Sequence, residues 1–175
     1  MKEIELKVLE INEKEIIKKI LALGAKRIMK KTLFDERIFD FKNRSIKKAH
    51  NLCRLRKEGN NTFLNFKFKG INYQTFFKVS EETQVEVSDF ALMEKILNGL
   101  GLFCVTKRKK TRISYRLHKV RFEIDKYPEI PTYLELEGPE KDILSILKKL
   151  KIDIKNTTNL NAGQVFKHYG LRSDA

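Results

Sequence analysis

The sequence is poor in residues that cross-link, relay protons or bind metals by themselves. Cysteine occurs twice, at Cys53 in a strand-like stretch and at Cys104 after Gly-Leu-Phe. Two isolated thiols fit buried, reduced side chains better than a disulfide framework or a cysteine metal site. The three histidines, His50, His118 and His168, fall among lysines and turn signals and read as surface residues rather than ligands. No Ser or Cys stands in a nucleophile-and-base arrangement, so no covalent intermediate is expected. No apolar run approaches the length of a membrane-spanning helix, and the opening Met-Lys-Glu-Ile-Glu lacks the apolar stretch of a signal peptide. A cytoplasmic protein without membrane contact is expected. Low-complexity tracts and interdomain linkers are also missing, so residues 1–175 are expected to form a single domain with a sizeable core.

What is abundant is positive charge. Lys and Arg number 37 against 23 acidic residues, a formal net charge of +14. Such an excess attracts polyanions, with nucleic acid, anionic membrane surfaces and small phosphates as candidates. Part of it lies on helices (Lys14, Lys18, Lys19, Lys148, Lys149) and reads as solvated surface. The arrangement of the rest is more telling.

The first strand, Glu3-Ile4-Glu5-Leu6-Lys7, places Glu3, Glu5 and Lys7 on one face at intervals of about 6.6 Å, with aliphatics opposite. Carboxylates beside an ammonium suit a hard cation and the anion it carries, since Mg2+ is held by one or two carboxylates plus substrate phosphates. An ordinary strand with one solvated face looks the same, so one strand decides nothing. Asn12 then caps a helix with the apolar stripe Ile16, Ile17, Ile20, Leu21 and Leu23. A strand is expected over 32–41, a polar loop over 42–51, and a hairpin turning at Glu58-Gly59-Asn60-Asn61 that presents Arg54, Arg56, Lys67 and Lys69. A strand over 76–87 carries Glu82, Gln84 and Glu86. It runs into a helix capped by Ser88-Asp89, with the stripe Phe90, Met93, Ile96, Leu97 and Leu100. The run Lys107 to Lys110 reads mainly as a solvated start to a strand, with Lys110 sharing a face with Arg112. Strands around Glu123 to Asp125 and Tyr133 to Glu137 follow, then a helix opened by Gly138-Pro139-Glu140 and a last helix over 162–169.

Charge is segregated among these strands. Those around 3–7, 82–86, 123–125 and 135–137 supply mainly carboxylates, whereas those around 54–56, 67–69 and 110–116 supply mainly cations. Curled into a barrel with this face inward and helices outside, they would set an acidic patch opposite a basic one, a lumen suited to polyphosphate with its metal. Arg54 and Arg56 could then grip adjacent phosphoryl groups bidentately, with lysines as point charges. The phenylalanines Phe34, Phe39, Phe66, Phe68, Phe76 and Phe122 alternate with charges and read as core, which argues against a nucleic-acid stacking surface.

Glu3-x-Glu5-x-Lys7 resembles the signature of the CYTH superfamily, the triphosphate tunnel metalloenzymes. The likeness continues through Asp35 to Asp40, Arg54-x-Arg56, Lys67 in Phe-Lys-Phe-Lys-Gly, and Val-Glu-Val-Ser-Asp-Phe. It then takes in Lys110-x-Arg112-x-x-Tyr115, Glu123-x-Asp125 and Leu-Glu135-Leu-Glu137-Gly-Pro. The resemblance implies an α+β fold, an antiparallel eight-stranded β-barrel with helices packed outside, binding a triphosphate-containing small molecule with Mg2+ or Mn2+. By position, Glu3, Glu5, Asp125, Glu135 and Glu137 correspond to metal ligands, and Lys7, Arg54, Arg56, Lys67, Lys110 and Arg112 to phosphate holders. Lys7 and Glu82 correspond to catalytic residues. Ser80 and Gln84 depart from the family, which often has Arg and Glu there. The implied activity is metal-dependent hydrolysis of inorganic, nucleoside or thiamine triphosphate by a monomer or homodimer. The alternatives are a class IV adenylate cyclase and a non-catalytic polyphosphate or nucleic-acid binding module.

Overall fold

The alternating strands do curl into a closed wall. In this computed structural model, which describes residues 2–69 and 76–171, eight strands form an antiparallel barrel. They are β1 (Lys2–Val8), β2 (Lys26–Asp40), β3 (Asn51–Glu58), β4 (Asn61–Lys69), β5 (Lys78–Val87), β6 (Phe103–Leu117), β7 (Val120–Lys126) and β8 (Tyr133–Glu137). Around the ring the order is β1-β5-β4-β3-β2-β6-β7-β8, and β1 closes it by pairing with both β5 and β8. Closure removes the two free edges of an open sheet, while residues 26–33 of β2 extend past β3 and pair with β6 alone.

The barrel is apolar outside and charged inside, and the helices cover the apolar face. Helices α1 (Glu13–Ala22) and α4 (Glu140–Leu150) lay Ile16, Ile20, Ile143 and Leu147 on Leu6, Phe122, Ile124, Leu134 and Leu136. Asn12 caps α1 by accepting from the Lys14 and Glu15 amides at 3.1 and 3.2 Å. Beyond the short α2 (Ser45–Lys48), α3 (Phe90–Gly99) packs Leu97 against Phe39, Cys53 and Leu55. It begins at Asp89, which accepts from the Leu92 amide at 2.8 Å. Helix α5 (Ala162–His168) sets Val165 and Phe166 against Tyr127, Ile130 and Tyr133 at one end of the barrel. Gly138, between β8 and α4, has φ +155°, and a Cβ there would stand 2.7 Å from the Lys119 carbonyl oxygen.

Several local expectations are corrected. The strand expected over 32–41 begins at Lys26, because its basic first half pairs with the distal part of β6. The loop expected over 42–51 holds α2, where Asp40 accepts from the Ile46 and Lys47 amides, each at 3.0 Å. In α3, Ile96 and Leu100 are exposed with Leu92, and only the Phe90, Met93 and Leu97 side faces the barrel. Phe68 and Phe76 are half exposed, and Phe34 is buried but lines the interior. The run Lys107 to Lys110 alternates, with Arg108 and Lys110 buried and Lys107 and Lys109 outside. The Lys69 side chain lies outside the described residues.

Candidate functional site: a charged tunnel

Period-two alternation around a closed ring sends every second side chain into one shared space. Here that space is a cavity of about 360 Å³ lined by Glu3, Glu5, Lys7, Arg54, Arg56, Lys67, Glu82, Lys110, Arg112, Glu135 and Glu137, so residues far apart in sequence converge as expected. Glu36, Glu58, Lys78, Arg108, Glu123, Tyr127 and Tyr133 also line it. Of these, Glu36 and Glu123 stood within noted motifs, but neither was named as a site residue. Glu36 stands opposite Arg56 and Arg108 in the register, a pairing that only the folded sheet reveals.

Neighbouring strands build the acidic wall. Glu5 stands opposite Glu137 across β1 and β8, and Glu135 stands opposite Glu123 across β8 and β7. Lys7 bridges this wall, its Nζ 2.8 Å from Glu5 and 2.7 Å from Glu135. Lys78 reaches Glu5 at 2.6 Å. On the far side Lys67 lies 2.7 Å from both Glu3 and Glu82, and Arg54 joins Glu36 at 3.2 Å to Glu82 at 3.5 Å. Arg56 pairs with Glu58 and donates to the Gln84 amide oxygen at 3.3 Å, while the Asn65 amide donates to Glu82 and Gln84 at 2.6 Å each. Ser80 is buried, and its hydroxyl has no hydrogen-bond partner among the described residues.

Asp125 differs from the other predicted ligands. It is wholly buried and accepts from Lys110 at 2.9 Å, from Arg112 at 2.5 and 2.6 Å, and from the Tyr133 hydroxyl at 3.2 Å. Four donors on one carboxylate make Asp125 the group that aims Lys110 and Arg112.

Burial and pairing set the protonation states. Burial pulls the Lys7 ammonium down, but Glu135 and Glu5 outweigh it and hold it above the ordinary lysine value. Burial pushes Glu36 up, yet Lys110, Arg54, Arg56 and Arg112 reverse this and lower it to about 2. Arg56 falls to about 10 through burial and the neighbouring Arg54. The acidic wall is divided: against burial, Lys7 with Lys78 lowers Glu5 and Lys7 with Arg112 lowers Glu135, whereas Glu137 and Glu123 are raised. Burial lifts Glu137 to about 7, with Glu123, Glu3 and Glu135 adding to it against Arg121. Glu123 is raised by burial, with Glu135 and Asp125 working against Arg112. Among the described residues, no three Asp, Glu, His or Cys side chains converge closely enough to enclose a metal, since the carboxylates turn toward lysines and arginines. The acidic wall nevertheless offers all-oxygen donors, the type that a hard divalent cation takes.

Residues 1–169 match the CYTH domain family model, and the chain belongs to that family. No curated protein matches it in sequence. Among solved structures, the PH1012 protein of Pyrococcus horikoshii OT3 is similar with TM-score 0.80 and 22% identity, covering 93% of this chain and 98% of its own. A candidate adenylate cyclase from Vibrio parahaemolyticus reaches TM-score 0.80 at 11% identity over 94% of this chain and 97% of its own. A candidate adenylyl cyclase from Hippeastrum, described as having a dominant triphosphatase activity, gives TM-score 0.66 at 16% identity over 97% and 96%. These likenesses show the fold.

Proposed function

We propose that the protein is a metal-dependent triphosphatase. The observation that carries this reading is the convergence, inside one cavity, of a basic wall formed by Arg54, Arg56, Lys67, Lys110 and Arg112 and an acidic wall formed by Glu3, Glu5, Glu135 and Glu137. Cations already paired with carboxylates are poised to exchange them for phosphoryl oxygens, so polyanion binding needs little reorganisation. Asp125 and Glu36 hold Lys110, Arg112 and Arg54 in position for this exchange. Mg2+ or Mn2+ held by the acidic wall would supply further neutralisation of the phosphoryl oxygens. Lys7 ties Glu5 to Glu135 within the acidic wall, and Glu82, between Lys67 and Arg54, fixes the direction of those two cations. Water attacks the terminal phosphorus as the bridging phosphoanhydride bond breaks, and the charge moving onto the leaving oxygen is met by the basic wall. The Hippeastrum neighbour's described triphosphatase activity supports hydrolysis over cyclisation.

The test is orthophosphate release from inorganic tripolyphosphate with Mg2+, with Mn2+ and with chelator, beside an ATP reaction scored for cyclic AMP. Chelator-sensitive phosphate release is expected, falling at least about a hundredfold in Glu5→Gln, which keeps the shape but removes a charge facing the reaction. Cyclic AMP formed at a rate matching phosphate release would replace this reading with a cyclase. Salt-sensitive RNA binding without hydrolysis would replace it with a binding module.

A further inference from the structure

Arg108 stands apart from the other cations in the tunnel. Lys7, Arg54, Arg56, Lys67, Lys78, Lys110, Arg112 and Arg121 each lie within ion-pair distance of a carboxylate. For Arg108 no such partner occurs among the described residues, although it is only 9% exposed. In the register it faces Glu36, but that carboxylate turns to Arg54 and Lys110 at 3.2 and 3.8 Å. The guanidinium lies 4.9 Å from the Phe166 ring centroid, and its Nη2 is buried without a hydrogen-bond partner. Tyr127, 2% exposed, packs edge-on against the same Phe166 at 5.1 Å, and its hydroxyl is likewise buried and unpartnered. Both residues line the cavity where Asn161, Ala162 and Gly163 of the α5 segment also reach it.

Two buried donors without acceptors, one of them charged, are costly to keep unless a ligand completes them. The guanidinium can only donate and the phenol can donate beside it, so the group that completes both is an acceptor rich in negative charge. Arg108, Lys110 and Arg112 share a face of β6 at steps of about 6.6 Å, so Arg108 extends the basic track toward α5.

We propose that Arg108 and Tyr127 form a chain-end subsite that takes the phosphoryl group of a linear polyphosphate lying nearest α5, and thereby selects triphosphates over diphosphates. The subsite rests on the reading of the tunnel as a triphosphate site. Phe166 backs the guanidinium at 4.9 Å, and a small rotation of the side chain would turn the unpaired Nη2 to the phosphoryl oxygens, with the phenol as a second donor.

The test measures binding of inorganic tripolyphosphate and of pyrophosphate to the wild type, Arg108→Gln and Tyr127→Phe by calorimetry with Mg2+ present, with thermal melting as a check on folding. Tyr127→Phe removes a hydroxyl that bonds to nothing described, so the fold is spared. Expected is a loss of tripolyphosphate affinity of about tenfold or more for Arg108→Gln and about threefold for Tyr127→Phe, the sizes of one charged and one neutral hydrogen bond, with pyrophosphate affinity unchanged. Unchanged tripolyphosphate affinity in both variants, or equal losses for the two ligands, overturns the subsite. A wild type that binds and hydrolyses tripolyphosphate alongside such variants sinks the subsite alone, whereas a wild type that does neither sinks the triphosphatase reading itself.

Discussion

Asp125 and Glu36 show how single carboxylates hold the basic wall in place. With Asp125 changed to Asn, the buried Arg112 and Lys110 lose their shared anion. Because breaking a buried ionic cluster leaves uncompensated charge, Asp125→Asn is expected to cost about 3–5 kcal/mol in urea unfolding. Glu36 gives a pH signature. Its folded-state value of about 2 lies below the ordinary 4.5, so its contribution is complete above about pH 4.5 and is lost as pH falls toward 2. The gap corresponds to about 3 kcal/mol. Acid unfolding of Glu36→Gln, followed by circular dichroism, is expected to lose that part of the pH dependence, leaving a shallower slope between pH 4.5 and 2. At this scale the sequence was readable where a charge alternates with apolar neighbours, as at Arg54-Leu55-Arg56 and Glu3-Ile4-Glu5. It was opaque where charges run consecutively. In Lys107-Arg108-Lys109-Lys110 and Asp35-Glu36-Arg37 both faces carry charge, so Arg108 and Glu36 could not be sorted inward. Phe34 misled for a related reason, because its ring lies beneath Arg56, Lys110 and Arg112 as a platform and not in the apolar core.

Among the elements, α3 and the β8–α4 junction were read with different success. The caps, Asn12 and Asp89, and the Gly-Pro-Glu start of α4 carry local hydrogen-bonding or backbone chemistry, and each falls where expected. The buried side of α3 was harder, because Leu92, Ile96 and Leu100 form as good a stripe as Phe90, Met93 and Leu97, and only the barrel decides between them. Leu97→Ala is therefore expected to cost about 2–5 kcal/mol in urea unfolding, whereas Leu92→Ala stays within about 0.5 kcal/mol. At the junction, Gly138 donates its amide to the Ile4 carbonyl at 3.0 Å, directly after Glu137 of the acidic wall. A side chain there meets the Lys119 backbone. Gly138→Ala is expected to lower stability by about 1–3 kcal/mol on the same measurement, through strain at a backbone angle L-residues rarely adopt.

At the scale of the molecule, the eight-stranded charged barrel was legible from strand alternation and from the family resemblance together. The ring order was not. Nothing in Glu3-Ile4-Glu5 tells which strands will flank it, and the length of β2 and β6 was hidden because Lys26 to Lys31 looks like surface charge. Strand order depends on pairings between distant segments, which local patterns do not encode. The placement of β1 also bears on how the molecule is made. As the stave between β5 and β8, the first of the eight strands to be synthesised waits for the last, so the lumen is sealed only once β8 (Tyr133–Glu137) has been made. A nascent chain stalled before that point holds its buried charges beside an open seam, which makes this barrel a natural client for a chaperone that shields unpaired strands.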